Sequence, residues 1–146
     1  MDEPLRLHYD VPGNDFIHAG EASGGVKLVL QQLGFAPGVI RRVAVAMYEG
    51  EINMVIHAGG GEADVLITPV RVDVRLADRG PGIADLGLAM REGYSTAPEA
   101  VREMGFGAGM GLPNMKKYSD CLRIDTHPGE GTVVRLTVYA APEGKG

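Results

Sequence analysis

The fold class this sequence predicts is α+β: a two-layer sandwich in which a mixed, mostly antiparallel sheet is covered on one face by about three helices. Three observations predict it. Apolar residues alternate with period two in several short stretches, and those around residues 63–76 and 122–138 come in pairs joined by short turns, the mark of hairpins. The segments with helical period are grouped apart from the hairpins, which favours a sandwich over a doubly wound parallel sheet. A length of 146 residues suits one two-layer core and leaves no comfortable room for a second. We therefore expect a single domain over residues 1–140, with a flexible polar tail at 141–146.

Each element has its own justification. Leu5, Leu7, Tyr9 and Val11 alternate with Arg6, His8 and Asp10 as a half-buried strand does, and Pro12-Gly13-Asn14-Asp15 stops it. A helix is predicted from about Asp15 to Leu33, with Phe16, Ala19, Val26, Leu30 and Leu33 facing inward and Gly20, Gly24 and Gly25 weakening its first half. Pro37 opens a second, longer helix to Ala58, carried by Val39, Ile40, Val43, Ala44, Met47, Met54 and Val55. Gly59-Gly60-Gly61 ends it. Ala63, Val65 and Ile67, then Val72, Val74 and Leu76, predict a two-stranded hairpin interrupted at Pro69-Val70. A short helix at 84–92 and an irregular, lid-like segment at 93–104 follow. Leu112, Met115 and Tyr118 share a helix face, and strands over 122–126 and 132–139 close the domain around the turn Pro128-Gly129-Glu130-Gly131.

Composition narrows the function. A net charge of −5 argues against a general nucleic-acid binder, which needs a basic face. The lone Cys121 excludes an internal disulfide and a cysteine-based metal cluster, and its place between Asp120 and Leu122 reads as a half-buried spacer. The acidic Met1-Asp2-Glu3-Pro4 start has none of the features of a signal peptide, and no apolar run approaches a membrane span, so the expected location is the cytoplasm.

Three stretches carry chemistry. In Gly105-Phe106-Gly107-Ala108-Gly109-Met110-Gly111, glycine at every second position removes the Cβ atoms that keep a backbone away from a ligand. A helix begins directly after it, so free N–H groups and a positive helix end would face an anion, most often phosphate; a plain hinge is the alternative. Glu49, Asn53 and His57 lie one helical turn apart in succession and share a face, which by itself reads as a solvent-facing polar stripe. Asp78-Arg79-Gly80-Pro81-Gly82 places a carboxylate at a strand end before two glycines, and a simple turn explains it equally well. The phosphate-loop and dinucleotide fingerprints are absent.

In chain order, Glu49-Gly50-Glu51-Ile52-Asn53, Asp78-Arg79-Gly80-Pro81-Gly82, Gly107 to Gly111, and Gly129-Glu130-Gly131-Thr132 resemble the N box, the two glycine boxes and the terminal Gly-x-Gly-Thr of the GHKL ATPases, which share the Bergerat ATP-binding fold. Within that superfamily the chain most resembles the stand-alone anti-sigma-factor serine/threonine protein kinases of bacterial partner-switching systems. The resemblance implies ATP and Mg²⁺ as cofactors. It implies Glu49 as catalytic base, Asn53 as metal and nucleotide ligand, Asp78 as the acceptor for the adenine amino group, and Gly80, Gly82 and Thr132 around the base. Gly107, Gly109 and Gly111 would cradle the phosphates. The physical chemistry agrees: an amide oxygen is a neutral hard ligand suited to Mg²⁺, and a carboxylate one turn away on the same face can take a hydroxyl proton. The family's basic contact to the γ-phosphate has no clear counterpart among Arg91, Arg102, Lys116 and Lys117. His57 reads as structural. A metal hydrolase finds no support, since the four histidines show no ligand spacing.

The resemblance implies a kinase that phosphorylates a protein serine and binds a regulatory partner: an anti-sigma-factor antagonist, a sigma factor or a phosphatase. A homodimer is left open. The alternative is a non-catalytic, ATP-responsive switch protein acting on such a partner.

Overall fold

A computed structural model describes residues 3–80 and 111–140. Five strands and three helices follow in the order β1 (Leu5–Pro12), α1 (Glu21–Gln32), α2 (Pro37–His57), β2 (Gly60–Ile67), β3 (Arg71–Asp78), α3 (Gly111–Tyr118), β4 (Cys121–His127) and β5 (Gly131–Tyr139). The strands form one sheet in the order β1-β2-β3-β5-β4. The mostly antiparallel sheet expected from the sequence is observed, and every pairing among the described residues is antiparallel. The predicted short helix at 84–92, the lid at 93–104 and the tail at 141–146 lie outside the described residues.

The period-two alternation decides which face is buried. Ala63, Val65 and Ile67 of β2, Val72, Val74 and Leu76 of β3, and Val134, Leu136 and Val138 of β5 all point to the helical layer and are buried. Val26 and Leu30 of α1, and Val43, Met47 and Val55 of α2, meet them. The opposite face carries charge. Arg75 pairs with Asp64 at 3.4 Å, and Asp125 accepts from both Arg123 at 3.1 Å and Arg135 at 3.3 Å. Such half-exposed pairs each contribute roughly 0–1 kcal/mol.

Two predicted features are corrected. Helix α1 starts at Glu21, not near residue 15, because Gly20 has a left-handed backbone (φ 100°) and breaks the helical path. Leu33 consequently sits at the C-cap, 41% exposed, rather than on the inner face. Cys121 is exposed rather than half-buried, since it opposes Thr137 on the open face while Leu122 turns toward the core. Its Sγ lies 3.5 Å from the Tyr139 hydroxyl.

Helix α2 approaches the sheet closely at Gly50. A Cβ added there would come within 2.2 Å of Leu76 Cδ1 and 3.2 Å of Met115 Sδ, so the missing side chain is what lets α2 touch both β3 and α3.

Candidate functional site

The site is strung along α2. Glu49, Asn53 and His57 are each half-buried, so the polar stripe is not the fully solvent-facing one that spacing alone suggests. Glu49 is held from across the helical layer: Asn114 of α3 donates its amide Nδ2–H to Glu49 Oε2 at 3.0 Å. Burial holds the His57 imidazole below its ordinary value of 6.5, which fits the structural role read from the sequence.

The C-terminal end of the same helix backs onto the second cluster. Asp78 ends β3 directly opposite Thr132 of β5, and Asp78 Oδ1 accepts from the backbone N–H of Gly80 at 2.9 Å and of Thr132 at 3.3 Å. The carboxylate is thereby fixed by two main-chain donors. Gly80 abuts Ala58, where an added Cβ would come within 2.6 Å of the Ala58 Cα. Gly131 has φ 132°, and a Cβ there would meet the Asp78 carbonyl oxygen at 2.2 Å, so only glycine lets β5 enter the sheet against Asp78. Thr132 is buried, and its hydroxyl shares a 2.9 Å hydrogen bond with Thr126 Oγ1. Its contact with Asp78 is made by the backbone.

The structure thus brings Asp78, Gly80 and Thr132 together at the C-terminal end of α2 and Glu49 with Asn114 about two turns earlier on the same helix, with Asn53 between. From Glu49 to Ala58 the helix rises about 13 Å at ~1.5 Å per residue. Gly111 opens α3. Gly82, Gly107 and Gly109 lie outside the described residues.

Three features escaped the sequence reading. Asn114 belongs to no motif. Glu51, given no role of its own within the first motif, is buried at 3% exposure and caps α1: its carboxylate accepts the N–H groups of Gly20 at 3.0 Å, Ala22 at 3.1 Å and Ser23 at 3.0 Å. Two signals could have revealed it. Glu51 follows Met47 by one turn at a core phase of α2, where a charge demands partners, and α1 begins without a capping side chain of its own. The third feature is a cross-strand cluster on the open face. His8 Nδ1 lies 2.7 Å from Asp64, and Nε2 lies 3.2 Å from Asp10 and 3.9 Å from Glu62. The hydrogen bonds to Asp64 and then Asp10 raise the His8 pKa above 6.5.

Whether these residues suit an adenine nucleotide can be judged from the donor set. Two backbone amides hold Asp78 Oδ1, its second carboxylate oxygen meets no donor among the described residues and could accept from an amino group, and Asn53 presents an amide on the face it shares with Glu49. The residues fit.

Fold and motif order together define a class, the GHKL-type ATPase domain. The family model for the histidine kinase-like ATPase domain matches residues 14–138, and the chain belongs to that family. Among curated relatives, an anti-sigma F factor of Caldanaerobacter subterraneus is 31% identical over 105 residues, covering 68% of this chain and 70% of its own. The serine/threonine-protein kinase RsbT of Bacillus subtilis is 30% identical over 111 residues, covering 73% and 77%. A solved structure of the RsbU and RsbW domains of a Mycobacterium tuberculosis protein matches with a TM-score of 0.59 at 19% identity, over 94% of this chain and 33% of that one. The mycobacterial sensor histidine kinase MprB matches at 0.52 and 17%, over 94% and 99%. The two structures speak for the fold alone. No helix among the described residues is long and apolar enough to cross a membrane.

Proposed function

We propose that this chain is an ATP-dependent protein serine/threonine kinase of the partner-switching kind, which binds a regulatory partner and phosphorylates a protein serine. The observation that carries the reading is Glu49. It is half-buried on α2, and its carboxylate is held at 3.0 Å by an amide of the helix that follows the glycine run. The similarity to an anti-sigma F factor and to RsbT supports the same reading.

In this reading Asp78 accepts from the adenine amino group, with Gly80, Gly82 and Thr132 forming the walls beside the base. Gly107, Gly109 and Gly111 lend backbone N–H groups to the phosphates. Asn53 holds Mg²⁺, which when bound neutralises charge developing on the phosphates. Glu49 takes the proton of the partner's serine hydroxyl as its oxygen bonds to the γ-phosphorus and the bond to the ADP oxygen breaks. The partner is an anti-sigma-factor antagonist, a sigma factor or a phosphatase. The place of action is the cytoplasm.

The test is phosphoryl transfer from γ-labelled ATP, with Mg²⁺, to serine-bearing candidate partners. Glu49→Gln is expected to abolish transfer and retain ATP binding. ATP-dependent partner binding without any transfer by the unaltered protein would overturn the kinase reading in favour of a non-catalytic switch.

A further inference from the structure

Two of the contacts that tie α2 to α3 are adjacent along both helices. Gly50 faces Met115, which is fully buried, and the residue before each, Glu49 and Asn114, forms the 3.0 Å hydrogen bond at the edge of that contact. Leu112 is buried one turn earlier, so α3 is anchored by two apolar side chains on either side of Asn114. The donor is placed by packing rather than by a mobile surface side chain. An ionised carboxylate accepts only, so the amide must present its NH₂ group to it.

We infer that Asn114 is the positioning residue of the phosphoryl-transfer base, an inference that rests on the reading of Glu49 as that base. Asn114 occupies Oε2, fixes the orientation of the carboxylate and leaves Oε1 to receive the serine proton. A charged acceptor bonded by one amide loses the freedom to swing toward solvent, and a base must lie within hydrogen-bond reach of the proton it takes. Asn114 also fastens the base to the helix whose first residue, Gly111, is the last of the phosphate-cradling glycines. The base and the start of α3 are thereby held in one packed unit, the fixed geometry that an in-line transfer requires.

The experiment uses the full chain, with ATP and Mg²⁺, and measures slow ATP turnover to ADP beside ATP affinity by calorimetry. Asn114→Ala is expected to lower kcat about tenfold with ATP affinity within about twofold, less than the ~10²–10⁴-fold that a whole acid–base group contributes because the base itself remains. Asn114→Asp, which keeps the shape but replaces the donor with a like charge, is expected to do worse than Ala. A residue that merely packs would show the reverse order, and that order would overturn the inference. Combined with Glu49→Gln, Asn114→Ala should cause no further loss, because a residue acting through Glu49 has nothing left to orient; an additive loss would also overturn it.

The outcomes separate the two levels of reading. If Glu49→Gln removes turnover while both Asn114 variants keep it, the positioning role falls and the base stands. If Glu49→Gln leaves turnover intact, the base falls and the positioning role with it. The contact is also readable without nucleotide. The side-chain amide resonance of Asn114 should move when Glu49 becomes Gln, and an unmoved resonance counts against the hydrogen bond itself.

Discussion

The two glutamates of Glu49-Gly50-Glu51 should separate cleanly into one that serves activity and one that serves stability, and Glu51→Gln is the sharper case. Its carboxylate takes three backbone N–H groups between 3.0 and 3.1 Å at the start of α1, in a place where Ala22 and Ser23 are buried. Gln keeps the shape but exchanges one acceptor oxygen for an NH₂ group, which then faces backbone donors. At least one hydrogen bond to a charged group is lost, at about 1.5–3 kcal/mol, and a buried donor is left unsatisfied at about 1–3 kcal/mol. The favourable carboxylate at a helix N-terminus goes too, at ~0.3–1 kcal/mol. Water entering the gap recovers part of this, and we expect a net loss of about 3 kcal/mol. Urea denaturation should show it as a midpoint lower by about 1.5 M at an m-value of ~2 kcal/mol/M. Glu49→Gln, at a half-buried site with one amide partner, should stay within ~1 kcal/mol of the parent. A Glu51→Gln protein as stable as the parent would refute the capping argument, as would Glu49→Gln being the more damaged of the two.

Three further outcomes follow from the geometry. Asn53→Ala should abolish Mg²⁺-dependent ATP binding, measured by calorimetry, with the fold intact; undiminished affinity would remove Asn53 from the site. Gly131→Ala should cost about 2 kcal/mol or more in chemical denaturation, because a Cβ at φ 132° meets the Asp78 carbonyl, and should also weaken ATP binding by disturbing Asp78; a silent substitution would contradict the close approach. Proton NMR should give His57 a midpoint below 6.5 and His8 and His18 midpoints above it. The sign for stability follows. The His57 contribution is full above 6.5 and is lost as pH falls through its folded value, whereas those of His8 and His18 are full below 6.5 and fade as pH rises through theirs. His57→Gln should therefore flatten the loss of stability on the acid side, which denaturation at several pH values would read.

Element order was legible because local patterns decide it. Alternation in β2, β3 and β5 and the long apolar stripe of α2 place these elements within a few residues of their observed bounds. What escaped depends on contacts distant in sequence. The start of α1 is set by Glu51, some 30 residues away, so propensity around residues 15–20 could not locate it. Cys121 was misjudged by its neighbours, when the register of β4 against β5 decides its face. Within the site, Glu49, Asn53, Asp78, Gly80 and Thr132 were legible as motifs. Their grouping was not, since Asp78 meets Thr132 only through strand register across 54 positions. Asn114 had no signature because a single amide after a glycine run looks like any other helix-surface residue. The histidine cluster was equally hidden, as His8 reaches Asp64 only once β1 and β2 are paired.

One helix carries the groups of both ends of the site, and this makes α2 a ruler. Glu49 and Asn53 sit on it, and Ala58 immediately after it is the surface against which Gly80 and hence Asp78 are set. A single residue inserted between positions 53 and 58 would turn everything beyond it by about 100° and advance it by ~1.5 Å. The proposed adenine end would then face away from the proposed reacting end while each half remained well folded. Strands and loops of this domain can change length at their exposed ends, but the stretch of α2 from 49 to 58 must keep its residue count as long as both ends serve one molecule.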